Sequence, residues 1–156
     1  MIKKVIIALI FIKGIISFSA EGDICGFWIT QEEKNPYEAV IEIRNINEKY
    51  FGNIICVTYE KNGKLYGSKN DEIIDFSILK NLNYNKNKDF YENGIIINPK
   101  NGKKYNASIK IENNKNQMKL RGSLDSFGIL GANRIWKRIK LEDIKYVENL
   151  KEIENE

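Results

Sequence analysis

The chain has 156 residues, a length typical of one domain with one hydrophobic core, and it contains no histidine. The missing histidine excludes Ser-His-Asp and Cys-His catalysis and histidine-ligated zinc or haem. Removing Lys3, Lys4 and Lys13, the lysines of the N-terminal segment, from the formal net charge of +4 leaves about +1. Because nucleic-acid-binding proteins normally carry a strong basic stripe, we predict no nucleic-acid partner, and also no catalytic residue, metal or cofactor.

The first residues have the layout of a secretory signal peptide. Met1–Lys4 is basic, Val5–Ile12 is wholly apolar, and Ser17 and Ser19 put small side chains before a cleavage site. The apolar run is shorter than the roughly 20 residues of a membrane-spanning helix. We predict a signal peptide over residues 1–19, a periplasmic or secreted mature protein, and no stable membrane span after cleavage.

Past the leader, short β-rich segments separated by turn residues predict an all-β antiparallel domain over residues 20–139. In several segments apolar and polar side chains alternate, which places one face in the core and the other in water. About seven to nine strands are present, the number that closes a small barrel. The predicted strands are Ile24–Thr30, Ala39–Asn45, Tyr50–Tyr59, a short one at Leu65 and Tyr66, a less regular one around Ile73–Leu79, Tyr91–Ile97, Lys104–Ile111, Met118–Gly122 and Asn133–Ile139.

Turn residues punctuate these strands. Asn62-Gly63 predicts a type I′ hairpin, and Asn98–Gly102 marks a second hairpin. Asn81–Asp89 is predicted to be a polar loop. Ser123–Ala132, in which Gly128 and Gly131 accompany Phe127, Ile129 and Leu130, is predicted to be a compact turn whose apolar tip packs against the domain.

The C-terminal residues follow a different period. Apolar residues recur there at helical spacing, which predicts an amphipathic helix over residues 140–156. We expect this helix to pack against the barrel; the alternative is docking to a partner. The apolar positions are Leu141, Ile144, Val147, Leu150 and Ile153.

Two groups of residues are candidates for chemical sites. Cys25 and Cys56 would be permitted to form a disulfide in an exported protein, or they could be two buried free thiols, and spacing leaves both open. Asp71, Glu72 and Asp75 form the tightest acidic group. They lack the regular ligand spacing and glycine of a calcium loop, so we expect them to be solvated.

A set of short motifs, in order from about residue 23 to residue 139, resembles the DUF2147 family, which consists of exported bacterial proteins of unknown function. Position 98 is a departure, because the family pattern often has Asp where this chain has Asn. The resemblance implies the fold and the export but no activity. The residues that carry it are Gly26, Trp28, Asn98, Pro99, Gly102, Arg121, Gly122, Gly131, Trp136 and Arg138.

Gly26-x-Trp28, together with an arginine near the end of the last strand, is also similar to the lipocalin structural signature. This likeness implies that the barrel is a lipocalin-like (calycin-type) one, with Trp28 closing one end and either Arg138 or Arg134 lying over the indole. A cation over an indole face is attracted by the ring quadrupole, so such a pair can seal an apolar core.

The function expected from these observations is non-enzymatic binding of a small apolar or amphipathic ligand inside the barrel. The alternative is a structural or interaction protein of the cell envelope that acts through its surface and C-terminal helix. No protein partner is indicated by the sequence. Alternation alone selects Ile43, Ile55, Val57, Tyr105, Ile109 and Met118 as the lining of the interior.

Overall fold

The computed structural model describes residues 23–31, 35–112 and 115–155, and most of them lie in β-strands. The predicted signal peptide, residues 1–19, lies outside the described residues. The strands are β1 (Gly26–Thr30), β2 (Tyr37–Ile46), β3 (Lys49–Lys61), β4 (Lys64–Ser68), β5 (Ser77–Asn85), β6 (Phe90–Ile97), β7 (Lys104–Ile111), β8 (Gln117–Ser123), β9 (Gly131–Arg138) and β10 (Ile144–Tyr146). A 3-10 turn spans Leu141–Asp143, and one helix, α1, spans Leu150–Asn155.

Eight of these strands close an antiparallel barrel, which confirms the predicted fold. The strand order is β3-β2-β1-β9-β8-β7-β6-β5, and β5 pairs again with β3 to complete the ring. The first half of β3 pairs with β5, while its second half pairs with β4. Strand β10 then adds to β4 in parallel. β4 and β10 are therefore additions outside the ring.

Apolar side chains gather in two clusters, one inside the barrel and one on its outer surface. The inner cluster contains Trp28, Leu82 and Ile109, all fully buried. The outer cluster contains Val40, Cys56 and Ile144 and lies under the C-terminal segment. The alternation of side chains along β1 to β3 accounts for both clusters, because successive residues face opposite sides of the sheet.

The Asn62-Gly63 hairpin forms as predicted. It joins β3 to β4, and both turn residues have positive φ, 53° at Asn62 and 71° at Gly63. These are the values that a type I′ turn needs.

The prediction of a polar loop over Asn81–Asp89 was wrong in its first half. Strand β5 continues to Asn85 and pairs with both β3 and β6. Between Asn81 and Asn85, Leu82 is the one fully buried apolar residue of β5. Asparagines stand on both sides of it, so the sequence shows no apolar run that would indicate a strand. Two residues further on, the Tyr84 ring packs against the Tyr91 ring with 4.8 Å between their centroids, and the backbone of the stretch is paired on both sides.

The C-terminal helix is present but shorter than predicted, because α1 covers only Leu150–Asn155. Ile144 is buried against the outer cluster as part of β10 instead of lying on a helix. The free edge of β4 provides backbone partners for this segment, and the Val147 amide donates to the Gly67 carbonyl at 2.8 Å. Edge pairing therefore replaces helix formation in the first half of the tail.

The two cysteines are free thiols. Cys25 packs against the inner cluster and Cys56 belongs to the outer one. Burial raises the pKa of Cys56 to about 11, and burial together with the Asp23 carboxylate raises that of Cys25 to about 12. Both groups therefore stay protonated and unreactive at neutral pH.

No helix in the described part of the chain is long and apolar enough to cross a membrane.

Candidate functional site

One end of the barrel is closed by Trp28 and Arg138. The Arg138 guanidinium carbon lies 4.2 Å from the centre of the Trp28 ring, so the structure places Arg138, not Arg134, over the indole. The Trp28 indole N–H donates to the Ile24 carbonyl at 2.8 Å. Trp28 is fully buried, and this hydrogen bond satisfies the indole nitrogen, the only polar atom of its side chain.

Arg138 holds the chain that crosses this end. Its guanidinium donates to the carbonyls of Asp23, Cys25 and Lys115 at 2.9 to 3.1 Å. Partial burial lowers its pKa, but a guanidinium stays charged throughout the physiological range. Gly26 has φ of 120°, and a Cβ there would lie 3.0 Å from the guanidinium. The glycine of the signature is thus required both by its backbone conformation and by the space that Arg138 occupies.

Tyrosines complete the seal. The Tyr91 hydroxyl accepts a hydrogen bond from the Ile24 amide, and the Tyr50 ring meets the Tyr91 ring edge-on at 4.9 Å. Burial raises the pKa of Tyr91 far above its ordinary value. This end of the molecule is therefore dry and fully packed.

Beyond this seal a cavity of 1290 Å³ begins inside the barrel and extends past its open end to the end of β4 and the C-terminal tail. Trp136 forms its floor, and the cavity continues to exposed turn residues at the opposite end, so it opens to solvent there. The wall is largely apolar. The residues on the barrel strands that line it include Ala39, Ile54, Val57, Ile78, Ile96, Tyr105, Leu120, Gly122, Ala132, Arg134 and Trp136.

Of the six residues predicted to line the interior, two line this cavity: Val57 and Tyr105. Ile43, Ile109 and Met118 point inward too, but they belong to the packed core below Trp136. These three residues are not among those that line the cavity. They fill the closed half of the barrel with side chains.

Ile55 was wrongly placed because of a β-bulge. The pairing of β2 with β3 shifts register between Val40 and Ile41, which leaves Ile55 without a partner between Ile54 and Cys56. A bulge inserts one residue and reverses the alternation beyond it. Ile55 therefore packs on the outer cluster, while Ile54 and Val57 both face the cavity.

The mouth of the cavity includes the turn between β6 and β7. The Asn98 side-chain oxygen accepts from the Lys100 amide at 2.9 Å, and the Gly102 amide donates to the Asn98 carbonyl at 2.8 Å. Gly102 has φ of 69°, and Pro99 lies within the turn. These motif residues therefore have a conformational role, which an amide oxygen fulfils as a carboxylate would.

The loop between β8 and β9 differs from the prediction, because its apolar tip is exposed instead of packed against the domain. Leu124, Phe127, Ile129 and Leu130 are 64% to 87% exposed. The Asp125 carboxylate accepts from the amides of Ile129 and Leu130 at 2.9 and 2.7 Å, and in this loop conformation the apolar side chains face solvent. These hydrogen bonds also lower the pKa of Asp125.

Three more motif residues shape this loop and the wall beside it. Arg121 donates to the carbonyls of Gly128 and Ile129. A Cβ on Gly131 would overlap the carbonyl oxygen of Gly122, which explains why small residues face each other where β8 meets β9. The arrangement fixes the loop without filling the cavity.

The acidic group lies beside the mouth. Asp71 and Glu72 line the cavity, and the Asp71 carboxylate accepts from the Ile73 amide at 3.1 Å. Asp75 lies in the same turn, and its amide donates to the Ile54 carbonyl at 2.8 Å. Over residues 23–31, 35–112 and 115–155, no cluster of three or more His, Cys, Asp or Glu is arranged to hold a metal ion.

Comparison with known proteins supports both the family and the fold. The model of DUF2147, described as an uncharacterised protein conserved in bacteria, matches residues 26–138. The solved structure of HP1028 from Helicobacter pylori, described as belonging to the lipocalin family, is 22% identical and superposes with a TM-score of 0.57 over 85% of this chain and 88% of that one. No curated protein matches the chain.

Proposed function

Because the chain belongs to the DUF2147 family of uncharacterised bacterial proteins, whose name supplies no activity, we propose on the basis of its cavity that it binds a small apolar or amphipathic molecule inside the barrel. The main support for this proposal is the 1290 Å³ cavity, which is closed at the Trp136 end and open at the other. Small-molecule sites are typically apolar cavities of about 300–1,000 Å³. This one has room for a ligand with a long apolar part.

The proposal includes a non-enzymatic role in the periplasm or outside the cell. It is supported by the leader-like pattern of residues 1–19 and by the absence of histidine from the whole chain. The wall of the cavity is built from aliphatic and aromatic side chains, which favour binding over bond making or breaking.

The test is titration of the purified protein with a neutral dye whose fluorescence rises in apolar surroundings. We expect saturable binding by the unchanged protein. Ala132→Trp would place an indole in the cavity, because Ala132 lies on its wall, and should abolish dye binding. Lys137→Trp is the matched control, since Lys137 is exposed and alternates with the inward-facing Trp136 on the same strand.

Native mass spectrometry of protein purified from its own host gives an independent readout. A retained adduct that Ala132→Trp removes and Lys137→Trp keeps would support the proposal. Equal dye binding by both variants, or none by the unchanged protein, would overturn it.

A further inference from the structure

We propose that Arg134 binds an anionic head group, so that the ligand of the cavity is an amphiphile ending in a carboxylate or phosphate; this rests on the proposed ligand-binding function. Arg134 pairs directly with Leu120 across β8 and β9. Residues that are directly opposite in an antiparallel pair share a face of the sheet. Leu120 is buried in the inner cluster, so Arg134 lies on the same face of the sheet; it lines the cavity and is exposed to solvent there.

The Arg134 guanidinium has donors to spare. One of its nitrogens donates to the Asn133 carbonyl at 3.0 Å. Among the residues that the structure describes, no carboxylate lies within ion-pair distance of it. A guanidinium fits carboxylates and phosphates with two parallel hydrogen bonds, which makes an anion the natural partner for the remaining donors.

The other charged residues around the cavity are placed differently. Asp71, Glu72, Lys100, Glu148 and Lys151 lie on the turns and tail of the mouth. Glu38 on β2 also borders the cavity, but it lies two residues before Val40 of the outer cluster, so its side chain faces the outer surface of the sheet.

Within the described strands, Arg134 is thus the one charged side chain that faces the cavity. It lies two residues from Trp136 in the direction of the mouth. A head group at Arg134 would lie level with Leu120 and two residues from Trp136, and the ligand tail would follow the apolar wall of the cavity.

The experiment compares dodecanol with dodecanoate and dodecyl phosphate, which share a chain and differ in head charge, as competitors of the neutral dye. The unchanged protein should bind both anions more tightly than the alcohol. Arg134→Gln should weaken binding of the anions by at least about tenfold, the loss typical of one charged hydrogen-bonding partner. Binding of dodecanol should not change. Lys100→Gln is the control, because it removes a cation from the mouth but not from the wall.

Two outcomes separate this inference from the proposed function. If dodecanol binds and Arg134→Gln leaves the affinity for the anions unchanged, the role of Arg134 is overturned while the ligand-binding function stands. If none of the three competitors displaces the dye and the dye itself does not bind, the proposed function fails as well.

A second inference comes from the exposed loop between β8 and β9 and does not depend on a ligand. We infer that the apolar tip, defined as Leu124, Phe127, Ile129 and Leu130, inserts into the surface of a lipid bilayer that contains anionic lipids. The four side chains are exposed together on one loop. Exposed apolar groups this close together usually mark an interaction site.

The hydrogen bonding of the loop favours a bilayer over a protein as the partner. Five backbone groups of the tip are hydrogen-bonded within the loop: the Ile129 and Leu130 amides to the Asp125 carboxylate, the Ile129 carbonyl to the Arg121 guanidinium, and the Leu124 amide to the Leu130 carbonyl at 2.8 Å. Lipid chains offer no hydrogen bonds, so a segment that enters them must satisfy its own backbone. A protein partner imposes no such requirement.

Charge supports the same partner. The turn between β6 and β7 and the strand that follows it carry Lys100, Lys103 and Lys104, all exposed. Because β7 pairs with both β6 and β8, this turn and the tip lie side by side at one end of the barrel. The acidic Asp71 and Glu72 precede β5, which pairs with β6, so the lysine turn lies between these acids and the tip. Lysines beside an apolar tip are complementary to anionic head groups.

The test is co-sedimentation of the purified protein with phosphatidylcholine vesicles, with and without phosphatidylglycerol. We expect binding that increases with phosphatidylglycerol. Replacing both Phe127→Ser and Ile129→Ser should lower the partition coefficient at least about tenfold, since two large side chains lose apolar burial. Ile46→Ser is the matched control, because Ile46 is 52% exposed at the sealed end.

Replacing the three lysines with glutamine should remove the dependence on phosphatidylglycerol. The inference is overturned if the protein does not sediment with either vesicle, or if Ile46→Ser reduces sedimentation as much as the double tip variant. Circular dichroism of each variant verifies that the barrel is intact.

Discussion

At the scale of single residues, Arg138 joins two separate segments of the chain at the sealed end. It bonds three backbone carbonyls from two segments and covers the Trp28 ring, so the chain before β1 and the turn before β8 meet at one side chain. Arginine is suited to this role because its planar fork donates in several directions while its face stacks on the indole.

We predict that Arg138→Gln lowers the free energy of unfolding by about 2 kcal/mol, because the carbonyls lose charged donors and the indole loses its cover. Urea unfolding followed by tryptophan fluorescence measures the change. Arg134→Gln is the control, since its guanidinium bonds only one carbonyl, that of its neighbour Asn133. Equal losses in the two variants would contradict the assigned role of Arg138.

The buried thiols predict how stability depends on pH. Their pKa values are raised in the folded protein, to about 11 for Cys56 and about 12 for Cys25, above the value of about 9 expected when unfolded. The folded state therefore holds protons that the unfolded state releases, and stability should fall as the pH rises from about 9 towards 11. Below pH 9 this contribution is fully present.

The measurement is urea unfolding at pH 7 and pH 10 for the unchanged protein and for the double variant Cys25→Ser, Cys56→Ser. The variant should lose less stability between the two pH values, because serine does not titrate there. Identical losses would show that the thiols are not protected in the folded state.

At the scale of elements, the junction of β4 and β10 shows how close packing selects sheet over helix. A Cβ on Gly67 would overlap the Ile144 side chain, so the tail can pair with β4 only because residue 67 has no side chain. Ile144 in turn is buried in the outer cluster beside Val40 and Cys56.

We predict that Gly67→Ala detaches the tail without unfolding the barrel, because β4 and β10 lie outside the ring. Hydrogen exchange at Ile144–Tyr146 should accelerate, while exchange in β7 and β8 should not. In the double variant Gly67→Ala, Ile144→Ala the overlap is gone, so its loss of stability should be smaller than the sum of the single losses. Additive losses would contradict the steric explanation.

Sequence patterns found the strands but could not find the features that depend on partner strands. The regular alternation in β7 and β8 was sufficient to place Ile109 and Met118 inside the barrel. The bulge at Ile55 is invisible in the sequence, because it is defined by the register of β2 against β3. The exposed tip was also missed, because Asp125 fixes it through hydrogen bonds to the backbone, whereas hydrophobicity alone predicted burial.

At the scale of the whole molecule, the barrel divides into a packed half and a hollow half. Trp28, the tyrosines and the core around Leu82 fill the sealed end, and above Trp136 the same strands surround a cavity. Stability is expected to come mainly from the first half. The second half is therefore able to accept changes of side chain that alter binding without unfolding the protein.

The division into a packed and a hollow half predicts that replacing isoleucine with alanine lowers the free energy of unfolding by different amounts in the two halves. Ile109 is fully buried in the packed half, so Ile109→Ala should cost about 2–5 kcal/mol of unfolding free energy, as for other truncations in close-packed cores. Ile96 lines the cavity and is only half-buried, so Ile96→Ala should cost less than about 2 kcal/mol. Urea unfolding of both variants measures the two losses of unfolding free energy. Equal costs would mean that the upper half is packed as tightly as the lower, and the cavity proposed for the ligand would then lack the space it requires.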